Sequence, residues 1–281
     1  MRTRKDRSLL LLLIDHIGGL DSAFRTLFAG STLIVPKSRT PEDAGIAIAA
    51  HRINLLPASP TFLNLMLLAQ VPSKFTCDSV EIIAYGAEAM PAPLLVRLAE
   101  AFPHAQLQQK FGTSETGAIR ITSTDSRSLF FKIEDHDTQW KIVNQTLWLK
   151  TPSRILGYLN AETPIDSEGW YNTGDKVEQD GEWIKFLGRA SDVINVGGLK
   201  FMASDVERKA LDYPNVSLVK VTPKQNPITG QHVELLVEPT NKALFDKDIM
   251  IDYLKSNLPP HMVPKRVRIG KIGVGHRFKK T

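Results

Sequence analysis

The sequence predicts an α/β protein: a partial parallel sheet with helices on its faces, followed by a small antiparallel β subdomain and a compact C-terminal α+β domain. Three observations predict it. From residue 9 to about 120, short apolar runs alternate with amphipathic stretches, the signature of repeated βα units. From about 121 to 190, aromatic and β-branched runs are separated by turn residues, which reads as antiparallel strands. From 191 to 281, two helical stretches flank two longer strands. The expected division is therefore 1–120, 121–190 and 191–281.

The elements follow in order. "LLLLLI" at 9–14 reads as a buried parallel strand, "LDSAFRTLFAG" as a helix stopped at Gly30, and "STLIV" as a strand. "TPEDAGIAIAAHR" opens with Thr40 as N-cap and Pro41 at the first helical position, with Glu42 and Asp43 suiting the helix dipole. "NLLPA" is a strand, and Ser59 and Pro60 repeat the same helix opening. "VEIIAYG", "PAPLLVRLAEAFP" and "AQLQQKFG" read as strand, helix and strand. "LFFKIED", "TQWKIVNQ", "TLWLK" and "EWIKFLG" are short strands, with Trp140, Trp148 and Trp183 expected in their core. A helix "SDVERKALDYP", strands "SLVKVTP" and "HVELLVEP", and a helix "DKDIMIDYLKSNLP" complete the last domain.

Composition sets limits. With 42 % hydrophobic and 23 % charged residues, the 281-residue chain reads as soluble and globular. No segment has the ~20 apolar residues of a membrane span. The basic, apolar N-terminus imitates a signal peptide but lacks a long enough apolar run and a cleavage site. The net charge of +5 is modest, and its densest basic stretch is the tail from Val263. No nucleic-acid motif accompanies that tail, so no nucleic-acid partner is expected. One cysteine, Cys77, excludes a disulfide framework and reads as a spectator thiol. A cytoplasmic location is expected.

Four stretches combine glycine with hydroxyls or carboxylates: "AYGAEAMP" (84–91), "QQKFGTSETG" (108–117), "YNTGD" (171–175) and "GRASDVINVGGLK" (188–200). The first two fall at the carboxyl ends of adjacent expected strands, where open α/β sheets bind ligands. Asp175 and Arg189 sit beside glycines, in what read as tight turns where backbone can approach a ligand closely. Taken singly, Glu115 also reads as a surface acid and Asp175 as a turn residue.

Together the stretches resemble the AMP-forming adenylating enzymes, which include acyl-CoA synthetases, nonribosomal peptide adenylation domains and luciferases. "FGTSE" resembles the family's aromatic-Gly-x-Ser/Thr-Glu motif, and "YNTGD" its Tyr-x-Thr-Gly-Asp. "GRASDVINVGGLKFMASDVE" resembles the hinge and glycine loop, and "KIGVGHRFKK" the terminal lysine motif. The resemblance implies that ATP and a carboxylic acid give an acyl-adenylate. The acyl group then passes to the thiol of CoA or of a carrier protein's phosphopantetheine. It assigns Glu115 to Mg²⁺, Ser114 with Thr113 to the α-phosphate, and Phe111 with Gly112 to the adenine side, where Gly86, Ala87 and Glu88 form another wall. Asp175 would hold the ribose hydroxyls and Arg189 the ribose or phosphate. Asp192 would be the hinge of a mobile C-terminal domain that delivers Gly197 and Gly198. Lys279, with Lys280 as rival, would reach the reacting carboxylate. Alternatively, the Lys279 tail is solvated and frayed. His16 reads either as part of the acyl pocket or as a packing or capping residue.

One departure stands out. Residues 1–13 contain nothing like the family's Ser/Thr/Gly-rich phosphate loop. The expectation is a truncated C-terminal portion with impaired activity, completed by an upstream N-terminal half. The alternative is a non-catalytic remnant acting as a nucleotide-binding or interaction module.

Overall fold

The computed structural model describes residues 5–275 of the chain. They divide into two compact units. One runs to Met90 and again over Leu94–Phe186; the other holds Pro91–Pro93 and the residues from Leu187 on.

The first unit is built on a parallel sheet of β1 (Arg7–Leu9), β2 (Thr32–Ile34), β3 (Leu55–Ala58), β4 (Ile82–Tyr85) and β5 (Gln106–Gln109), in the order β2-β1-β3-β4-β5. The crossovers carry α1 (Ile17–Phe28), α2 (Pro41–His51), α3 (Pro60–Leu68), a short α4 (Val71–Lys74) and α5 (Ala92–Ala101). The capping chemistry read from sequence is present. The Thr40 side chain accepts from the Asp43 N–H at the start of α2, and Ser59 accepts from the Phe62 N–H at the start of α3. Each satisfies an otherwise orphaned donor of the first helical turn.

The first strand lies earlier than expected. The sheet pairs Arg7–Leu9, and the run from Leu10 to Ile14 leaves it as a loop. Polar ties fix that register: the Arg7 N–H donates to Asn54 Oδ1 at 2.8 Å, and Arg7 Nε to the Arg52 carbonyl at 2.7 Å. Leu11 is still buried, so the apolar run serves the core from a loop.

After β5 the chain forms a two-stranded hairpin, β6 (Phe111–Thr113) and β7 (Gly117–Ile119). A six-stranded sheet follows: β8 (Ile121–Ser123), β9 (Phe130–Ile133), β10 (Gln139–Val143), β11 (Thr146–Lys150), β12 (Tyr171–Asp180) and β13 (Trp183–Arg189). Its order is β10-β11-β12-β13-β9-β8. Phe111, Phe131, Leu147, Leu149, Val177 and Ile184 form its core. Of the tryptophans expected there, only Trp140 packs against this cluster. Trp148 and Trp183 are half-buried and lie beneath lysines, with Lys141 and Lys132 Nζ each 5.7 Å from a ring centroid. Lysine stems cover indole faces well at a sheet surface, which leaves the interior to smaller side chains.

The second unit contains β14 (Val193–Val196), β15 (Leu199–Met202), β16 (Val216–Asn226), β17 (Gly230–Pro239) and β18 (Arg266–Ile269). The order is β15-β14-β17-β16, with β18 parallel to β17. Helices α6 (Ala203–Leu211) and α7 (Lys247–Asn257) supply Val206, Ala210, Met250 and Leu254 to a core shared with Val219, Leu235 and Val237. Among the described residues, no helix is long and apolar enough to cross a membrane.

Candidate functional site

The β6–β7 hairpin carries the "FGTSE" stretch and is shaped by a close backbone approach. A Cβ on Gly112 would fall 2.4 Å from the Gly117 carbonyl oxygen and 2.8 Å from Ala118 Cα. Only glycine fits there. The Thr113 hydroxyl is buried inside the turn and accepts from the N–H groups of Glu115 and Thr116, both at 3.2 Å. Its role here is to hold the turn. Ser114, next along, is exposed. The Phe111 ring is 9 % exposed and packs on Phe186 at 4.8 Å and Phe131 at 6.0 Å between centroids.

Glu115 is where two distant stretches meet. Tyr158 donates its hydroxyl to Glu115 Oε1 at 2.5 Å. The Tyr171 hydroxyl, from the "YNTGD" stretch at the start of β12, lies close enough to this carboxylate to help lower its pKa. Partial burial pushes the carboxyl's pKa up, but the hydrogen bonds from Tyr158, Thr113, its own N–H and Tyr171 outweigh burial and hold it below the usual range. Tyr171 responds oppositely: burial, then the Glu115 charge, raises its phenol well above normal. The result is an ionised acid held by neutral phenols. The main chain is tied as well, because the Ile155 N–H donates to the Glu115 carbonyl at 2.8 Å and Ser153 Oγ to the Thr116 carbonyl at 2.6 Å. Beside it lies a pocket of about 540 Å³, lined by Ser114, Glu115, Ile155, Gly157, Tyr158, Leu159, Asn160 and Ala161.

Asp175 stands four residues along the same strand as Tyr171, half-buried, with its N–H donating to Thr173 Oγ1 at 3.0 Å. The stretch read as a turn is thus a strand. Gly174 has φ +71°, and its local irregularity mimics turn chemistry in the sequence.

Gly86, Ala87 and Glu88 follow β4, at the same end of the sheet as the β5–β6 connection. A Cβ on Gly86 would meet the Lys110 carbonyl at 2.8 Å, so the two connections lie against each other. Glu88 Oε2 accepts from the Thr61 N–H at 3.1 Å and its hydroxyl at 2.7 Å, which places that oxygen at the first turn of α3. His16 is the N-cap of α1, its Nδ1 accepting from the Gly18 N–H at 3.3 Å. The sole cysteine, Cys77, is 8 % exposed. Burial, and then Asp78 beside it, pushes the thiol up to about 11.

In the second unit, the Arg189 N–H donates to Asp192 Oδ2 at 3.3 Å, and Ser191 Oγ donates to Asp192 Oδ1 at 3.2 Å. Gly197 and Gly198 make the two-residue loop between β14 and β15, at φ +61° and +88°. Nothing lies within 4 Å of a Cβ at either position, and the local need is for left-handed backbone. Lys279 and Lys280 lie outside the described residues. Among the described residues, no group of three or more His, Cys, Asp or Glu could hold a metal ion. Glu115 offers a single, pre-ionised oxygen ligand.

The family described as "AMP-binding enzyme" matches residues 1–152, just over half of the 281. The chain belongs to this family. Among its curated relatives, the peroxisomal OPC-8:0-CoA ligase 1 of Arabidopsis thaliana is 29 % identical over 280 residues, covering 90 % of this chain and 50 % of the relative. The 2-succinylbenzoate–CoA ligase of Bacillus subtilis (strain 168) is 26 % identical over 286 residues, covering 94 % and 57 %. The chain spans about half the length of the curated relatives it matches. Among solved structures, the amide bond synthetase McbA from Marinactinospora thermotolerans gives a TM-score of 0.84 at 20 % identity, covering 99 % of this chain and 61 % of that one. An anthranilate CoA ligase, AuaEII, in complex with anthranoyl-AMP gives 0.83 at 16 % identity, covering 98 % and 58 %. Both share the fold of this chain.

The sequence reading missed two residues of this site. Tyr171 lay within a quoted motif but was given no role. Tyr158 lies in an irregular stretch with no helical or strand periodicity, and only its position after Gly157 marks it.

Proposed function

We propose that the protein acts in AMP-forming carboxylate activation. A carboxylic acid attacks the α-phosphorus of ATP, pyrophosphate leaves, and the acyl-adenylate passes its acyl group to a CoA or carrier-protein thiol with release of AMP. One observation carries the reading: Glu115 of "FGTSE" lines the pocket and lies close enough to Tyr171 of "YNTGD" for each to shift the other's pKa. The chemistry joins two anions, so the site must neutralise charge and fix geometry.

Roles follow from placement. Ser114, exposed at the pocket, would donate to a phosphate oxygen. Asp175 would accept from ribose hydroxyls. Gly86 and Ala87 would border the base, while Phe111 packs beneath. Arg189, Asp192, Gly197, Gly198 and Lys279 would act from the second unit on rotation about residue 192. Glu115 fits a hard cation as one carboxylate ligand, and Mg²⁺ bound there with ATP would supply charge neutralisation at the phosphates.

Titration calorimetry of the 281-residue chain with ATP and AMP, alongside ATP–pyrophosphate exchange over a panel of carboxylic acids, tests this. Because the chain spans about half of its relatives, nucleotide binding with weak exchange by the chain alone is expected. Addition of a polypeptide carrying the rest of the fold should raise exchange. Binding with no exchange under either condition would indicate a nucleotide-binding module. Absence of saturable binding to both nucleotides would overturn the proposal.

A further inference from the structure

We infer that Tyr158 is a positioning residue that fixes the Glu115 carboxylate, an inference resting on the adenylation reading above. The carboxylate has a phenol neighbour from each of two elements. Tyr171 comes from the buried start of β12, and Tyr158 from the irregular segment between β11 and β12. The Tyr158 hydroxyl makes the direct side-chain hydrogen bond and so fixes where Oε1 lies, while Tyr171 supplies a second polar neighbour.

Tyr158 is placed by its own backbone. Its N–H donates to Thr163 Oγ1 at 2.7 Å, and three residues earlier the Ile155 N–H donates to the Glu115 carbonyl at 2.8 Å. The segment is therefore anchored at one end to the very residue that its phenol holds. A Cβ on Gly157 would come within 3.2 Å of Thr163 Oγ1, so glycine leaves room for that bend. The surroundings argue against a purely packing role. Tyr158 is 41 % exposed, and its neighbours Leu156 and Leu159 are fully exposed. The hydroxyl is the part of this exposed side chain that reaches the site. That hydroxyl lies 2.5 Å from Oε1 and at the pocket wall.

The test compares the 281-residue chain with its Tyr158→Phe variant, which keeps the ring and removes the hydroxyl. Calorimetry measures affinity for Mg·ATP and, separately, for AMP in EDTA; thermal unfolding is recorded for both proteins. Loosening Glu115 should weaken Mg·ATP roughly ten- to a hundredfold, the worth of one hydrogen bond to a charged group. AMP without metal and the melting temperature should stay as in the parent. A variant that binds Mg·ATP as the parent does overturns the inference. So does one that loses AMP affinity and melting temperature in parallel, since the phenol is then structural. A parent chain that binds neither nucleotide overturns the adenylation reading, and this inference falls with it.

Discussion

Replacing Gly112 by alanine should open the β6–β7 hairpin that presents Ser114 and Glu115. The added methyl would sit 2.4 Å from the Gly117 carbonyl oxygen, 2.8 Å from Ala118 Cα and 3.1 Å from the Gly117 carbonyl carbon. All three are main-chain atoms of the partner strand, so no rotamer change can relieve the overlap. The strands must part by more than half an ångström. Overpacking of this kind costs about 1–3 kcal/mol, and each hairpin hydrogen bond lost adds about 1 kcal/mol. A total near 2–4 kcal/mol follows, a large share of the ~5–15 kcal/mol stability of a typical domain. Gly117→Ala is the matched control. Its φ of +74° strains any side chain, yet its Cβ would meet only Ser153 Oγ at 3.8 Å. That costs about 1–2 kcal/mol. Urea unfolding followed by tryptophan fluorescence suits the comparison, because Trp140, Trp148, Trp170 and Trp183 all lie in the first unit. Taking the middle of each range, Gly112→Ala should lower stability by about 1.5 kcal/mol more than Gly117→Ala. Equal or reversed losses would refute the steric account.

Phe111→Ala should cost about 3–5 kcal/mol by emptying the space against Phe186 and Phe131; a variant of unchanged stability with weakened AMP binding would instead assign the ring to the base. The Cys77 thiol is raised from 9.0 to about 11 in the fold, so its protonated form is the one the fold favours. Stability from this group is complete below pH 9 and is lost as pH climbs through 11, by up to roughly 2–3 kcal/mol. Chemical unfolding at pH 8 and pH 11 should therefore show a smaller drop for Cys77→Ala than for the parent.

Sequence legibility followed the range of the forces involved. The openings of α2 and α3 were readable because Thr40-Pro41 and Ser59-Pro60 act within one helical turn. The start of β1 was not, because a six-residue apolar run looks alike in strand and loop. What places the strand is a long-range tie from Arg7 to Arg52 and Asn54. The stretch 171–175 has turn-like composition, yet pairing with β11 and β13 makes it a strand that absorbs Gly174 as an irregularity. Gly197 and Gly198 stood out as paired glycines, and the structure gives them a local need as well, since both have positive φ in a two-residue loop. The carboxylate of Glu115 was singled out from its motif. Its phenol partners were not, because Tyr158 lies 43 residues away with no pattern to announce it.

The seclusion of Cys77 has a practical consequence. Its thiol carries about a hundredfold less thiolate near neutral pH than an ordinary one. Maleimide dyes or spin labels will therefore pass it by, and the native chain already serves as a silent background for labelling. Two cysteines introduced at exposed positions away from the site, one at Val35 and one at Ile228, would accept a fluorophore pair without further engineering. Energy transfer between them would then test, in solution and molecule by molecule, whether the distance between the two labels changes when nucleotide is added.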